Sequence, residues 1–163
     1  MPQPAPSKKS KEPRWVTFDP DRILSPKILR FYDIWCSLWQ RDRMPHPSAI
    51  DPLDFDFALS LVSLIDVIGP EPRYFLRLVG PDVADRHGRD FTGQYVDEID
   101  EEPVRRLLIP SYGKVYHTRE PFWALRDTYV EGIYWQYEVL ILPLVDESDA
   151  IIRLISMVQY LHP

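Results

Sequence analysis

The residues most able to bind a small molecule lie in a predicted β-hairpin around Glu131-Gly132. A two-residue loop with glycine in second position sets the register of such a hairpin, and counting back from it pairs Arg126 with Tyr137. The side chains that share this face with Arg126 are mostly apolar, and they include Phe122, Ala124, Trp135, Val139 and Ile141. Since an unpaired buried guanidinium costs several kcal/mol, Arg126 needs a counter-charge, several carbonyl groups or an anionic ligand.

These residues predict a pocket for a small ligand. Its candidate residues are Arg126, Trp135, Tyr137 and Val139, on the face of the hairpin that we expect to point at the helices. The alternative is that Arg126 pairs with Asp or Glu and that the two aromatic side chains are plain core.

Catalytic chemistry has weaker support in the sequence. The chain contains His87, His117 and Asp127, but it lacks a Ser-His-Asp spacing, a Gly-rich phosphate loop and a His/Glu metal pair. Asp85 and His87 are two residues apart in a predicted short helix, so they do not face together. We therefore expect no catalysis and no metal. A small α+β enzyme, such as an isomerase or dehydratase that needs only one His and one Asp, is the alternative.

Length and charge narrow the class of protein further. With 163 residues and 45% hydrophobic residues, the chain suffices for one domain with a core. The first 43 residues carry nine Lys/Arg against five Asp/Glu, whereas the remainder carries ten against twenty. This acidic body argues against nucleic-acid binding. The chain lacks an apolar run that could span a membrane and lacks a secretory signal, and it has a single cysteine, so we expect a cytoplasmic protein.

The N-terminal third divides into an arm and a helix. Residues 1–24 contain five prolines and no periodicity, which predicts a mobile basic arm that includes Lys8, Lys9, Lys11 and Arg14. From Ser25-Pro26 an amphipathic helix is predicted over residues 25–42. Its apolar stripe includes Ile28, Tyr32, Trp35 and Trp39, which are our candidates for a homodimer interface. The alternative is that this helix covers its own sheet.

Short apolar segments predict the remaining elements. Strands are expected over residues 62–68, 74–79, 122–130, 133–144 and 151–161. Short helices or turns fall over residues 81–88 and 93–99, and a longer helix over 103–118 should be kinked or split by Pro110. The order of elements is typical of an α+β fold with an antiparallel sheet.

This order and several motifs resemble the PAS fold, and more narrowly a subfamily of short stand-alone bacterial PAS proteins. The motifs are Met44-Pro45, Asp51-Pro52-Leu53, the segment from Phe75 to Gly80, the segment from Gly88 to Gly93, and the segment from Tyr137 to Leu144. The likeness covers about residues 28–160, which is nearly the whole chain outside the arm. It implies a five-stranded antiparallel sheet with short helices on one face, preceded by the N-terminal helix, in a single domain over residues 25–163.

The resemblance also implies a sensory module that binds a small organic ligand or a protein partner, without catalysis and often as a dimer. Arg77 joins the pocket candidates because it lies in the family-like strand motif, and the alternative is that it too pairs with Asp or Glu. A flavin photosensor of this fold needs a cysteine facing the sheet, and Cys36 lies in the N-terminal helix, so we do not expect flavin. Haem would need an axial His; His117 and His87 are weak candidates. Because no effector domain follows Pro163, we expect signals to leave through surface contacts.

Overall fold

The structure of the chain is a computed structural model that describes residues 18–130 and 132–162. Its helices are α1 (Pro26–Ser37), α2 (Pro81–His87) and α3 (Glu102–Thr118). Its strands are β1 (Val62–Ile68), β2 (Arg73–Leu78), β3 (Phe122–Val130), β4 (Ile133–Val145) and β5 (Ile151–His162). Short 3-10 turns connect these elements, including Pro52–Phe55 and Leu59–Leu61. In the part of the chain that is described, no helix is long and apolar enough to cross a bilayer.

The five strands form one antiparallel sheet in the order β2-β1-β5-β4-β3. The predicted register of the β3–β4 hairpin is confirmed, because Arg126 pairs with Tyr137 and Ala124 with Val139. The predicted α+β class and five-stranded sheet are confirmed as well. Gly132 has φ 81°, the left-handed conformation that a tight turn of this kind requires.

Helix α1 lies against one face of the sheet, which we call the outer face. Ile28, Phe31, Tyr32 and Trp35 are all buried, and the indole Nε1 of Trp35 donates a hydrogen bond to the Pro143 carbonyl over 2.9 Å. This arrangement corrects the dimer candidates: Ile28, Tyr32 and Trp35 are core residues of a single chain, so they are not exposed to a second copy. The stripe is apolar because the helix covers its own sheet.

Helix α1 also ends at Ser37 and not at residue 42. The chain then turns, with Arg41 at φ 58° and a short bridge between Gln40 and Arg43. Trp39, the fourth dimer candidate, is half-buried and packs edge-on against Trp35 with ring centroids 5.3 Å apart. Trp39 therefore lies in the turn that follows α1 and not on a continuation of the helix.

The segment before α1 corrects the predicted extent of the arm. Phe18 is buried, and its backbone N–H donates to the Glu120 carboxylate over 3.0 Å. Arg22 stacks over the ring of Trp123, with its guanidinium carbon 5.1 Å from the ring centroid. Residues 18–24 therefore pack against the domain, through the buried ring of Phe18 and the contact of Arg22 with Trp123. The remainder of the predicted arm, including its lysines, lies outside the described residues.

Helix α3 runs through Pro110 without a break, so of the two predicted outcomes, a kink or a split, the split is wrong. Proline removes the backbone N–H that would bond the carbonyl of Arg106. Both Arg106 and Pro110 are exposed, so water can satisfy that carbonyl and the helix continues. The buried side chains of α3 lie in its second half, where Ser111, Tyr112 and Val115 face the sheet.

Candidate ligand-binding site

A cavity of about 410 Å³ lies between the inner face of the sheet, opposite α1, and helices α2 and α3. This volume falls within the ~300–1,000 Å³ typical of small-molecule sites. The sheet contributes Tyr137, Val139, Ile141, Val158 and Tyr160, and the helical side contributes Val83, Arg86, Val104, Leu107, Leu108 and Tyr112. The lining is thus mainly apolar, with arginine and tyrosine side chains at a few positions.

Arg126, Tyr137 and Tyr160 form a single row across the inner face. Arg126 of β3 pairs with Tyr137 of β4, and Tyr137 pairs with Tyr160 of β5, whose ring centroid lies 5.8 Å away. Because neighbouring strands lie ~4.8 Å apart, this row spans about 10 Å of the cavity wall. Residues that lie directly opposite each other on neighbouring strands point to the same face of the sheet, so these three polar side chains share one surface.

The guanidinium of Arg126 is held by neutral groups. Its Nη2 donates to the Ser111 hydroxyl on α3 over 2.6 Å, and its guanidinium lies 5.4 Å from the centroid of the Phe122 ring. Among the described residues, no carboxylate lies within 4 Å of it. The alternative of an acidic partner for Arg126 is therefore not seen in this part of the chain, and its positive charge faces the cavity.

Arg86 supplies a second guanidinium from α2, in a different setting. Its guanidinium carbon lies 4.3 Å from the ring centroid of Trp135 and 4.2 Å from that of Tyr160. These cation–π contacts fasten α2 to the ends of β4 and β5. Trp135, a predicted pocket residue, is not among the residues that line the cavity; it contacts Arg86, which does line it. Tyr137 and Val139 line the cavity itself.

The tyrosine hydroxyls around the cavity stay protonated at neutral pH. Burial raises the pKa of Tyr137, and the nearby charge of Arg126 only partly opposes this. Burial also raises the pKa of Tyr160 to about 12, again against the charge of Arg86. The buried Tyr112 has a raised pKa for the same reason. Neutral phenols can donate hydrogen bonds to an acceptor in the cavity.

The remaining charged groups lie toward the mouth of the cavity. Glu101 lies 3.4 Å from His87 Nε2 and 3.5 Å from Arg89, so the charge of that arginine is compensated. Asp127 also lines the cavity, and its carboxylate accepts a hydrogen bond from the Tyr134 hydroxyl over 2.7 Å. The described residues contain no cluster of His, Cys, Asp and Glu that could hold a metal ion.

Comparison with known proteins identifies the family to which this five-stranded domain belongs. The family model described as "PAS domain" matches residues 23–159. The chain belongs to the PAS-domain family. Members of this family are generally sensory modules and not enzymes, and the resemblance to the PAS fold stated from the sequence is confirmed. The narrower resemblance to a bacterial stand-alone subfamily stays a prediction.

A solved structure supports the same PAS fold. The PAS domain of Bordetella pertussis BvgS is similar with a TM-score of 0.52 and 17% identity, over 70% of this chain and 89% of that chain. A light-oxygen-voltage domain studied with a flavin analogue has a TM-score of 0.46 and 11% identity, over 63% of this chain and 77% of that chain. No curated protein sequence matches this PAS domain.

Two sequence candidates of this PAS domain lie away from the cavity. Arg77 projects from the outer face of β2 and pairs with Asp66, its Nη2 lying 2.6 Å from the carboxylate. It was assigned to the pocket from its motif, but the alternation of β2 sends Leu76 inward and Arg77 outward. His117 is exposed at the end of α3, where it contacts Tyr116 and does not line the cavity.

The other weak haem candidate, His87, does line the cavity, at its mouth. Its ring lies 5.0 Å from that of Phe91, and its Nε2 faces Glu101. Cys36 lies in α1, on the outer face, and is not among the residues that line the cavity. The histidines and the cysteine therefore do not converge on one place in this PAS domain.

Sequence reasoning missed three polar residues of this PAS domain. Arg86 and Tyr160 belong to the cavity, and the signal for Tyr160 was available because it shares a rung with Tyr137. Glu138 is fully buried on the outer face, where its carboxylate accepts bonds from the backbone N–H groups of Leu24 and Ser25. It also accepts a bond from Trp123 Nε1 over 2.6 Å. A single glutamate in a strand gives no sequence signal for such a role.

Proposed function

We propose that this PAS domain is a non-catalytic sensory module that binds a small organic ligand in the cavity between its sheet and helices α2 and α3. The observation that carries the proposal is the cavity itself, about 410 Å³ in volume and lined by apolar side chains with a few convergent polar ones. Such a lining is typical of small-molecule sites, because apolar walls provide affinity while sparse polar groups fix orientation.

A change in the cavity has a route to the surface of the domain. Helix α2 is short and lies over the cavity, and the stacking of Arg86 on Trp135 and Tyr160 ties it to the sheet. A ligand that touches this contact alters how α2 sits on the sheet, and we propose that a protein partner reads that difference. The homodimer and the cytoplasmic location remain predictions; a dimer would use surfaces other than Ile28, Tyr32 and Trp35.

The small-enzyme alternative has less support from the geometry. His87 is turned toward Glu101 and Asp127 is bonded by Tyr134, so the two groups that an isomerase would need are each engaged elsewhere. Turnover that is abolished by His87→Ala would overturn the non-catalytic assignment. A Soret absorption band in the purified protein would instead favour haem.

Native mass spectrometry and thermal shift measurements across a metabolite panel test ligand binding. We expect a co-purifying mass or a ligand-dependent rise in Tm, as mass action requires for a ligand that binds only the folded state. Leu108→Trp, which fills the cavity, should abolish the effect. The matched control is Leu29→Trp on the exposed side of α1, which should leave it unchanged. No co-purifying mass and no Tm shift with any compound would contradict the proposal.

A further inference from the structure

Arg126 differs from six other arginines of this domain in what surrounds its charge. Arg73, Arg77, Arg89, Arg106, Arg119 and Arg153 each lie within 4 Å of a carboxylate oxygen. The hydrogen bond of Arg126, in contrast, goes to the neutral hydroxyl of Ser111. In the described part of the chain, its charge at the cavity wall is therefore not neutralised by the protein.

The groups next to Arg126 are donors as well. A guanidinium carries five N–H donors and no acceptor, and Ser111 takes one of them. Tyr137, directly opposite on β4, is a phenol that can donate its hydroxyl hydrogen. A surface made of a forked cation and a phenol matches the two oxygens of a carboxylate, which guanidinium groups bind through paired hydrogen bonds.

We propose that the cavity takes an organic acid with one carboxylate on an apolar body, and that Arg126 and Tyr137 bind the carboxylate. This inference rests on the proposed ligand-binding function and names the chemical class of the ligand. The apolar body has its place in the rest of the lining, which includes Leu76, Phe91, Val104, Leu107, Leu108 and Val158.

The charges around the cavity favour one negative charge over two. Arg86, like Arg126, has no carboxylate within 4 Å among the described residues, but its guanidinium lies over two aromatic rings. Arg89 already faces Glu101. Asp127 lines the same cavity and repels a second anionic group there. A phosphate dianion, which carries more charge and three acceptor oxygens, fits this surface less well than a carboxylate does.

Matched pairs of acid and amide test the inference on the whole chain. Isothermal titration compares phenylacetate with phenylacetamide and octanoate with octanamide, since each pair differs mainly in charge. We expect at least one acid to bind about tenfold or more tightly than its amide, the discrimination typical of charge-assisted hydrogen bonds. Phenyl phosphate is measured beside them, and tighter binding of it than of phenylacetate would overturn the carboxylate assignment.

Substitutions assign the discrimination to a residue. Arg126→Met should bring the affinity for the acid down to that for its amide, and Tyr137→Phe should weaken the acid alone. Arg126→Lys keeps the positive charge but lacks the paired donors of a guanidinium, so it should retain part of the preference for the acid over its amide. It also tests the role of Arg126 if Arg126→Met does not fold. The control is Arg106→Met on α3, which removes the same charge from an exposed i,i+4 pair and should change nothing.

The possible results separate this inference from the proposed function. Equal binding of acid and amide overturns the organic-acid assignment while leaving a ligand-binding cavity. A preference for the acid that survives both Arg126 substitutions also overturns the role of Arg126. Absence of binding by either member of both pairs at millimolar concentration, together with no co-purifying mass, overturns the ligand-binding function itself.

Discussion

The two faces of the sheet are covered in different ways. On the outer face of β4, Glu138, Leu140, Leu142 and Leu144 are each 0% exposed, because α1 and the segment before it lie across them. On the inner face of the same strand, Tyr137 is only half-buried, and Tyr137, Val139 and Ile141 border the cavity. One strand with one alternating pattern thus faces a packed layer on one side and a void on the other.

The covering helices explain the difference. Helix α1 has a continuous apolar stripe, from Ile28 to Trp35, that fills the space above the sheet. The helices on the inner face have fewer fully buried side chains: α2 has only Ala84, and those of α3 all lie in its second half. Close packing stabilises the outer face, whereas the helices over the inner face leave space that a ligand can fill. The less complete packing of the inner face is therefore what leaves room for the proposed ligand.

The strongest test of this comparison removes the same atoms from each face. Ile155 is buried on the outer face of β5, and Ile141 is buried on the inner face of β4 beside the cavity. We expect Ile155→Ala to lower the free energy of unfolding by about 4 kcal/mol and Ile141→Ala by about 2 kcal/mol. The reason is that side chains beside a void have fewer packing contacts to lose.

Urea unfolding of the two variants measures both values, and Leu29→Ala at an exposed position of α1 serves as the control. An equal loss for the two isoleucines would show that the inner face is packed as tightly as the outer one. The comparison of the faces would then be wrong, and the cavity would not be a preformed site.

The next test concerns the buried glutamate that attaches α1 to the sheet. Glu138→Gln replaces one acceptor oxygen by an NH₂ group that faces N–H donors, so at least one of Leu24, Ser25 and Trp123 loses its partner. We expect a loss of about 1–3 kcal/mol. Amide hydrogen exchange should show lower protection at Leu24 and Ser25.

The exposed Glu147→Gln is the matched control for Glu138→Gln, since that side chain is 88% exposed. It should change neither the unfolding free energy nor the exchange rates at residues 24 and 25. If Glu138→Gln behaves in the same way as this control, the carboxylate does not hold the N-terminal segment in place.

The β3–β4 hairpin shows what could be predicted from the sequence. Its turn residues and alternation are local features, so counting from Gly132 was enough to place Arg126 opposite Tyr137 and to bring both to the helical side. The strand bounds followed from equally local patterns, and β1 and β3 were predicted to the residue.

Contacts between distant parts of the chain could not be predicted in this way. Glu138 bonds residues more than 100 positions away, and Arg153 bonds Asp66 across 87 positions. The dimer candidates on α1 illustrate the same limit. An apolar stripe in the sequence does not show whether it is buried against its own sheet or against a second copy of the chain. Each of these answers depends on tertiary structure.

The smallest expected effect is the acid sensitivity of the outer-face ion pairs. Burial tends to raise the pKa of Asp66, but hydrogen bonds from Arg77 and Arg153 outweigh it, and the pKa is lowered from its usual value of 3.8. Since the folded-state pKa lies below the unfolded one, the carboxylate stabilises the fold at neutral pH and loses that effect as the pH falls below about 4.

We expect Asp66→Asn to cost about 1 kcal/mol at pH 7 and to flatten the acid limb of the stability curve. The exposed Asp56→Asn, with the same change of charge, should leave that limb unchanged. An acid limb that Asp66→Asn does not alter would show that its ion pairs add nothing, and that the outer face is held by apolar packing and by Glu138 alone.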